Sequence, residues 1–137
     1  MTVDEINAFL AEGFPGREGR AHVEHADGVT ARCRVRYHET QLRPGGTLSG
    51  PTMMALADTV VYALIFSSVG FSPLSVTTNL SINFLRKPKP ADLIAEARLL
   101  KRGKALFVAD VLIRSDGETS PVAHAVVTYS IPPKGAA

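Results

Sequence analysis

Hydrophobic residues recur along this chain with two different periods. From Val29 to Tyr37 the period is two: Val29, Ala31, Cys33, Val35 and Tyr37 fall on one face, and Thr30, Arg32, Arg34 and Arg36 on the other. That alternation predicts a strand with one wet face. Pro51 to Val69 reads differently. Met53, Met54, Leu56, Val60, Val61, Leu64, Ile65 and Phe66 make it apolar nearly all round, and a helix of that kind must be covered on most sides. Ser49 or Gly50 can serve as its N-cap, Pro51 fits the first helical position, and Gly70 ends it. The segment is about as long as a membrane span. Asp58 near its middle would cost about 2.5–3.5 kcal/mol on insertion, so a core helix is the better reading.

The remaining pattern fills in around these two. Val3 to Ala11 predicts a short amphipathic helix with Ile6, Phe9 and Leu10 on one side, ended by Phe14-Pro15-Gly16, so that residues 1–14 form an N-terminal helical segment. Ala21 to Ala26 predicts a strand, and Asp27-Gly28 a hairpin turn. His38 to Leu48 reads as a loop. Four strands are expected after the long helix: Ser75–Leu85, Asp92–Leu100, Ala105–Ser115 and Val122–Ile131. In the first, Val76, Thr78, Leu80, Ile82 and Phe84 share one face, and Thr77, Asn79, Ser81 and Asn83 the other. Pro132 to Ala137 reads as a frayed tail. Short turns make these strands antiparallel, and the element order predicts a single α+β domain over residues 1–137, with an antiparallel sheet wrapped around one apolar helix.

Composition narrows the function. Hydrophobic residues make up 45% of 137 and charged residues 20%, an ordinary globular balance. Fifteen Lys and Arg against thirteen Asp and Glu leave a net charge of +2, too weak to argue for a nucleic-acid partner. The single cysteine, Cys33, excludes an intrachain disulfide and a cysteine-based metal site, and its parity places it in packing. Asp4, Glu5 and Glu12 rule against a basic and then apolar leader. A reducing cytoplasm, with no membrane partner, is the expected location. His22 and His25, three apart on a strand, should face opposite ways; with His38 and His124 they form no metal pattern. Ser49, Ser67 and Ser68 lack the neighbours of a serine triad.

Charge is unevenly spread. Asp58 is the sole charged residue from Pro44 to Leu85, and Arg86, Lys87, Lys89, Arg98, Lys101, Arg102 and Lys104 then follow against only Asp92 and Glu96. The basic stretch reads either as solvated strand ends or as a phosphate-binding rim. An acid among apolar side chains is expensive unless paired or functional, and withdrawal from water makes a carboxylate a better base near neutral pH. The alternative is that Asp58 bonds a Ser or Thr hydroxyl and fixes packing. The helix start is the second clue, because its free N–H groups accept a carbonyl oxygen or oxyanion and Gly50 has no side chain to block approach. Gly50 and Asp58 are eight residues apart, about 12 Å at ~1.5 Å per residue. To share one reacting carbon they must come from two antiparallel helices across the twofold axis of a homodimer.

Thr47-Leu48-Ser49-Gly50 followed by Ala55-Leu56-Ala57-Asp58-Thr59 resembles the helix signature of the hotdog-fold thioesterases, above all the PaaI-like branch, written His-Gly-Gly, a spacer, then Leu-Ala-Asp. Ser75 to Arg86 is similar to that family's strand after the helix, and Lys101-Arg102-Gly103-Lys104 to its next hairpin. The likeness covers about residues 28 to 131. It implies hydrolysis of an acyl-CoA or similar thioester by homodimers paired into tetramers, with no cofactor. Asp58 matches the catalytic acid, which attacks the thioester or activates water. Gly50 matches the residue whose amide polarises the carbonyl, and Thr77 a small hydroxyl residue near the water. Arg86, Lys101, Arg102 and Lys104 would meet CoA phosphates. Two positions that orient thioester and water depart from the pattern: Ser49 replaces the His and Arg43 the Asn, while Pro51 replaces the second Gly. These substitutions leave open a role for Arg43 or Gln41 in the mechanism, a different substrate, or acyl-CoA or acyl-carrier binding without turnover. A dehydratase acting on a 3-hydroxyacyl thioester would need a His opposite the acid, and His38 is the loop candidate.

Overall fold

An apolar helix needs a wrapping layer, and a curved antiparallel sheet supplies it. The structure, a computed structural model, describes residues 1–13, 21–37, 42–43 and 47–133, with backbone alone at 42–43 and 47–48. In chain order the elements are α1 (Val3–Gly13), β1 (His22–Ala26), β2 (Thr30–Val35), β3 (Leu42–Arg43), β4 (Thr47–Leu48), α2 (Gly50–Val69), β5 (Val76–Phe84), β6 (Leu93–Arg102), β7 (Leu106–Ser115) and β8 (Pro121–Ser130). Six strands form one sheet in the order β1-β2-β6-β7-β8-β5, each pair antiparallel. The predicted α+β architecture and the long helix from Gly50 to Val69 are therefore present. Within the expected loop, β3 pairs with β4 as a short separate ribbon. The Phe14-Pro15-Gly16 stop, His38, Gln41 and the end of the predicted tail from residue 134 lie outside the described residues.

The core sits between α2 and the inner face of the sheet. Leu56, Val60, Val61, Leu64, Ile65 and Phe66 are fully buried against Ala31, Cys33, Ala95, Phe107, Val111 and Val127. Alanines across from the helix let it lie close, and burying each large side chain contributes about 1.5–3 kcal/mol. The helix is long and apolar enough to cross a membrane by composition, yet its apolar residues are the core of this sheet. It is not covered all round. Pro51, Met54 and Ala55 are exposed, and Asp58, Thr59 and Tyr62 half-buried, which is one stripe at helical spacing. β5 is an edge strand, exposed along most of its length.

The ends of α2 follow from local chemistry. Ser49 is the N-cap, its Oγ accepting from the Thr52 N–H at 3.3 Å, and Gly70 ends the helix by donating its N–H to the Phe66 carbonyl at 3.1 Å. The β1–β2 turn packs under the helix C-terminus. Gly28 has φ +87 there, a Cβ would stand 3.2 Å from the Ser67 carbonyl oxygen, and the Gly28 N–H donates to Ser67 Oγ at 3.0 Å. α1 begins with a reciprocal capping box between Thr2 and Glu5. Asn7 then ties it to β1, its side chain donating to the Val23 carbonyl at 2.8 Å and accepting from the Val23 N–H at 2.9 Å.

Four register shifts interrupt the sheet, one of them between β7 and β8, and those in β1, β6 and β5 change which way the candidate residues face. Each inserts an extra residue, after which the period-two assignment inverts. In β1 the shift lies between Val23 and His25, so His22 pairs with Arg34 and His25 with Arg32. Both histidines therefore sit on the outer face, not on opposite faces as their spacing predicts. In β6 the shift between Leu99 and Lys101 sets Arg102 opposite the inward Phe107. In β5 the shift between Thr77 and Asn79 sets Thr77 opposite Tyr129 and Leu80 opposite Val127. Thr77 thus joins the face of Leu80, Ile82 and Phe84, against the predicted parity.

Candidate functional site

Asp58 lies on the uncovered stripe of α2, half-buried rather than deep among apolar side chains as the sequence suggests. Two hydroxyls from the sheet reach it. Thr77 Oγ1 donates to Asp58 Oδ1 at 2.5 Å, and Tyr129 Oη at 2.9 Å to the same oxygen and at 3.0 Å to the Asp58 main-chain carbonyl. Thr77 and Tyr129 are register partners on β5 and β8, so one rung of the ladder supplies both donors. Among the described residues Oδ2 receives no hydrogen bond. Tyr129 is buried, and burial first, then the negative charge of Asp58, hold its hydroxyl protonated far above the usual tyrosine range. Its ring stacks on Tyr62 at 6.0 Å, and the Tyr62 hydroxyl donates to the Pro73 carbonyl at 2.9 Å. Tyr62 in turn contacts Phe66, which meets Phe9 and Phe71.

The helix start is a second feature. Pro51 has no N–H, the Thr52 N–H goes to Ser49 Oγ, and the Met53 N–H goes to the Ser49 carbonyl at 3.3 Å. Gly50 is left with the first-turn amide that has no acceptor among the described residues, at the positive end of a helix of 20 residues. Phe84, itself half-exposed, lies over Gly50: a Cβ there would stand 3.3 Å from the ring. The Ser49 hydroxyl is committed to the cap and to Thr52 Oγ1 at 2.9 Å.

The residues named from sequence fall into separate groups within one chain. Asp58 and Thr77 meet. Gly50 stands at the other end of β5, beside Phe84. Arg86 also belongs to that end, its Nε donating to the Pro121 carbonyl at 2.8 Å. Lys101, Arg102 and Lys104 lie at the opposite end of the sheet, about 30 Å away along a ten-residue strand at ~3.3 Å per residue. Lys101 and Lys104 are exposed, whereas Arg102 bonds the Ser68 carbonyl and hydroxyl, both at 3.1 Å, and so satisfies the C-terminus of α2. Nothing is described of the Arg43 side chain. Sequence reasoning missed Tyr129; the available signal was a tyrosine at the inward parity of the last strand, where a polar tip needs a partner. Of the histidines described, His25 bonds Asp27 and Thr30, and His124 lies 3.6 Å from Asp110 on the outer face. No group of residues suited to a metal ion occurs among the described residues.

One helix held in a curved antiparallel sheet, with its acid at a sheet edge, is the hotdog fold. The sequence profile of the Thioesterase superfamily matches residues 45–122, which include α2, Asp58 and Thr77. The chain belongs to the thioesterase superfamily. It is similar to a Silicibacter sp. TM1040 protein assigned as a thioesterase, with 46% identity, a TM-score of 0.88, and coverage of 97% of this chain and 93% of that one. A Saccharolobus solfataricus protein assigned as an esterase is 28% identical, over 96% of this chain and 86% of its own. A hypothetical thioesterase of Streptococcus pneumoniae TIGR4, solved with coenzyme A, shares the fold at 19% identity and a TM-score of 0.77, covering 96% of this chain and 98% of that one.

Proposed function

We propose that the protein hydrolyses an acyl-CoA or similar thioester, with Asp58 as the reacting carboxylate and the Gly50 amide of the partner subunit polarising the thioester carbonyl. The observation that carries this is Asp58 itself, gripped by two hydroxyls and placed on an uncovered helix face beside an open sheet edge. In this reading two β5 edges pair antiparallel around a twofold axis near Leu80. That symmetry sets the partner's Phe84 beside Val76, and the partner's Gly50, which lies under that ring, moves toward Thr77 and Asp58. The exposed stripe of α2 then meets its copy. The same symmetry draws the partner's Arg86 toward the Lys101–Lys104 end, where CoA phosphates would bind; the Streptococcus pneumoniae protein with coenzyme A supports that ligand class. Dimers pairing into tetramers, and a reducing cytoplasm as the compartment, belong to the same proposal.

The chemistry balances without a cofactor. Asp58 either takes a proton from water as the water attacks the carbonyl carbon, or itself attacks to form an anhydride that water opens. In both routes the C–S bond breaks, the thiol leaves with a proton, and the oxyanion forms against the Gly50 N–H and the helix N-terminus. An acyl-CoA panel read with a thiol reagent tests the proposal. Asp58→Ala is expected to lower hydrolysis by about 100- to 10,000-fold with the fold intact; retained rates would remove Asp58 from the mechanism. A single turnover in 18O-water tests direct attack, because an anhydride opened by water at the Asp58 carbonyl leaves an Asp58 oxygen in the first product and places 18O on the carboxylate. The replacement of the family's His by a cap serine favours a second reading, binding without turnover; tight CoA-ester binding by calorimetry with no thiol release would establish it.

A further inference from the structure

We propose that Tyr129 is a positioning residue for the Asp58 carboxylate, sharing Oδ1 with Thr77 so that Oδ2 is the oxygen presented to substrate or water. This rests on Asp58 being the reacting group. A carboxylate on a half-open helix face would otherwise rotate about its last side-chain bond and exchange its two oxygens. Here both donors converge on Oδ1, at 2.5 and 2.9 Å, and Tyr129 also touches the main-chain carbonyl of the same residue at 3.0 Å. That carbonyl already accepts within α2, so the second contact fixes the hydroxyl's place rather than satisfying an orphan.

The hydroxyl is itself held from behind. Its ring is buried, stacked on Tyr62, and Tyr62 is tied to Pro73 just ahead of β5. The partners on the same rung are Thr77 on one side and Phe107 on the other. Two hydrogen bonds occupy Oδ1 and fix the plane of the carboxylate. Oδ2 keeps its lone pairs for a proton or for carbon.

Tyr129→Phe keeps the ring and removes the donor. Expected are a kcat lower by about 10- to 100-fold with KM changed less than about threefold. The carbon-13 resonance of the Asp58 carboxyl group at about pH 7 should change position both in Tyr129→Phe and in Thr77→Val, because each removes a donor to Oδ1, and this readout requires no turnover. Unchanged kcat and an unmoved carboxyl resonance overturn the inference, as does a lower kcat accompanied only by a lower melting temperature. Wild-type protein that releases no thiol from any acyl-CoA would defeat the proposed function instead; the carboxyl resonance then still decides whether Tyr129 holds the carboxylate.

Discussion

Thr77 reaches Asp58 because one extra residue, Thr78, lets the strand turn it inward. Its contribution should lie in the hydroxyl alone. Thr77→Val, which keeps the shape, is expected to lower kcat by about 10-fold or more, and Thr77→Ser to retain most of the rate, both measured beside wild type on one acyl-CoA. Asp58 and Gly50 stand out as candidates at this scale because their chemistry contradicts their neighbourhood: a lone charge in an apolar run, and a glycine at a helix start. Tyr129 does not. Its significance arises from a rung shared with Thr77, a residue some fifty positions earlier, and strand parity reports only that it points inward.

Elements were read well where one periodicity ran uninterrupted. The span of α2, its Ser49 cap and its Gly70 stop were all available from local rules. The cap carries a measurable share of stability: Ser49→Ala is expected to cost about 0.5–2 kcal/mol by urea unfolding. What eluded the pattern were the bulges. Alternation extrapolated across Glu24 or Thr78 assigns the wrong face to His25 and Thr77, because no residue type marks where a ladder admits an extra member. Arg102, beyond the β6 shift, reaches the end of α2 at Ser68.

Across the molecule, the outer sheet face is fastened by Arg34. It bonds Glu24 at 2.8 Å, Asp92 at 3.0 Å and Asp116 at 2.8 Å, joining β1, the entry to β6 and the β7–β8 turn. Its guanidinium is the leading cause that holds Glu24 and Asp116 below the usual carboxylate range. Groups depressed in this way stabilise the fold above their ordinary titration and lose that contribution as pH falls through their folded midpoints. Arg34→Gln should therefore cost about 1–2 kcal/mol at pH 7, with the difference from wild type shrinking below about pH 4 in urea melts. The proposed two-chain site has its own test. Neither Asp58→Asn nor Gly50→Val should work alone, yet co-expressed they should recover about a quarter of wild-type activity, since half the dimers carry one whole site of two. No recovery, or a sedimenting mass of one 14.6-kDa chain, would count against it. Cys33 carries a practical benefit for all these measurements. It is the chain's one sulfhydryl, fully buried, and pushed up to about 12 by burial and then by the charge of Glu24. A chromogenic disulfide added to the native protein should draw no colour from it, and unfolding should release one equivalent. In any thiol-release assay the native protein is therefore its own blank.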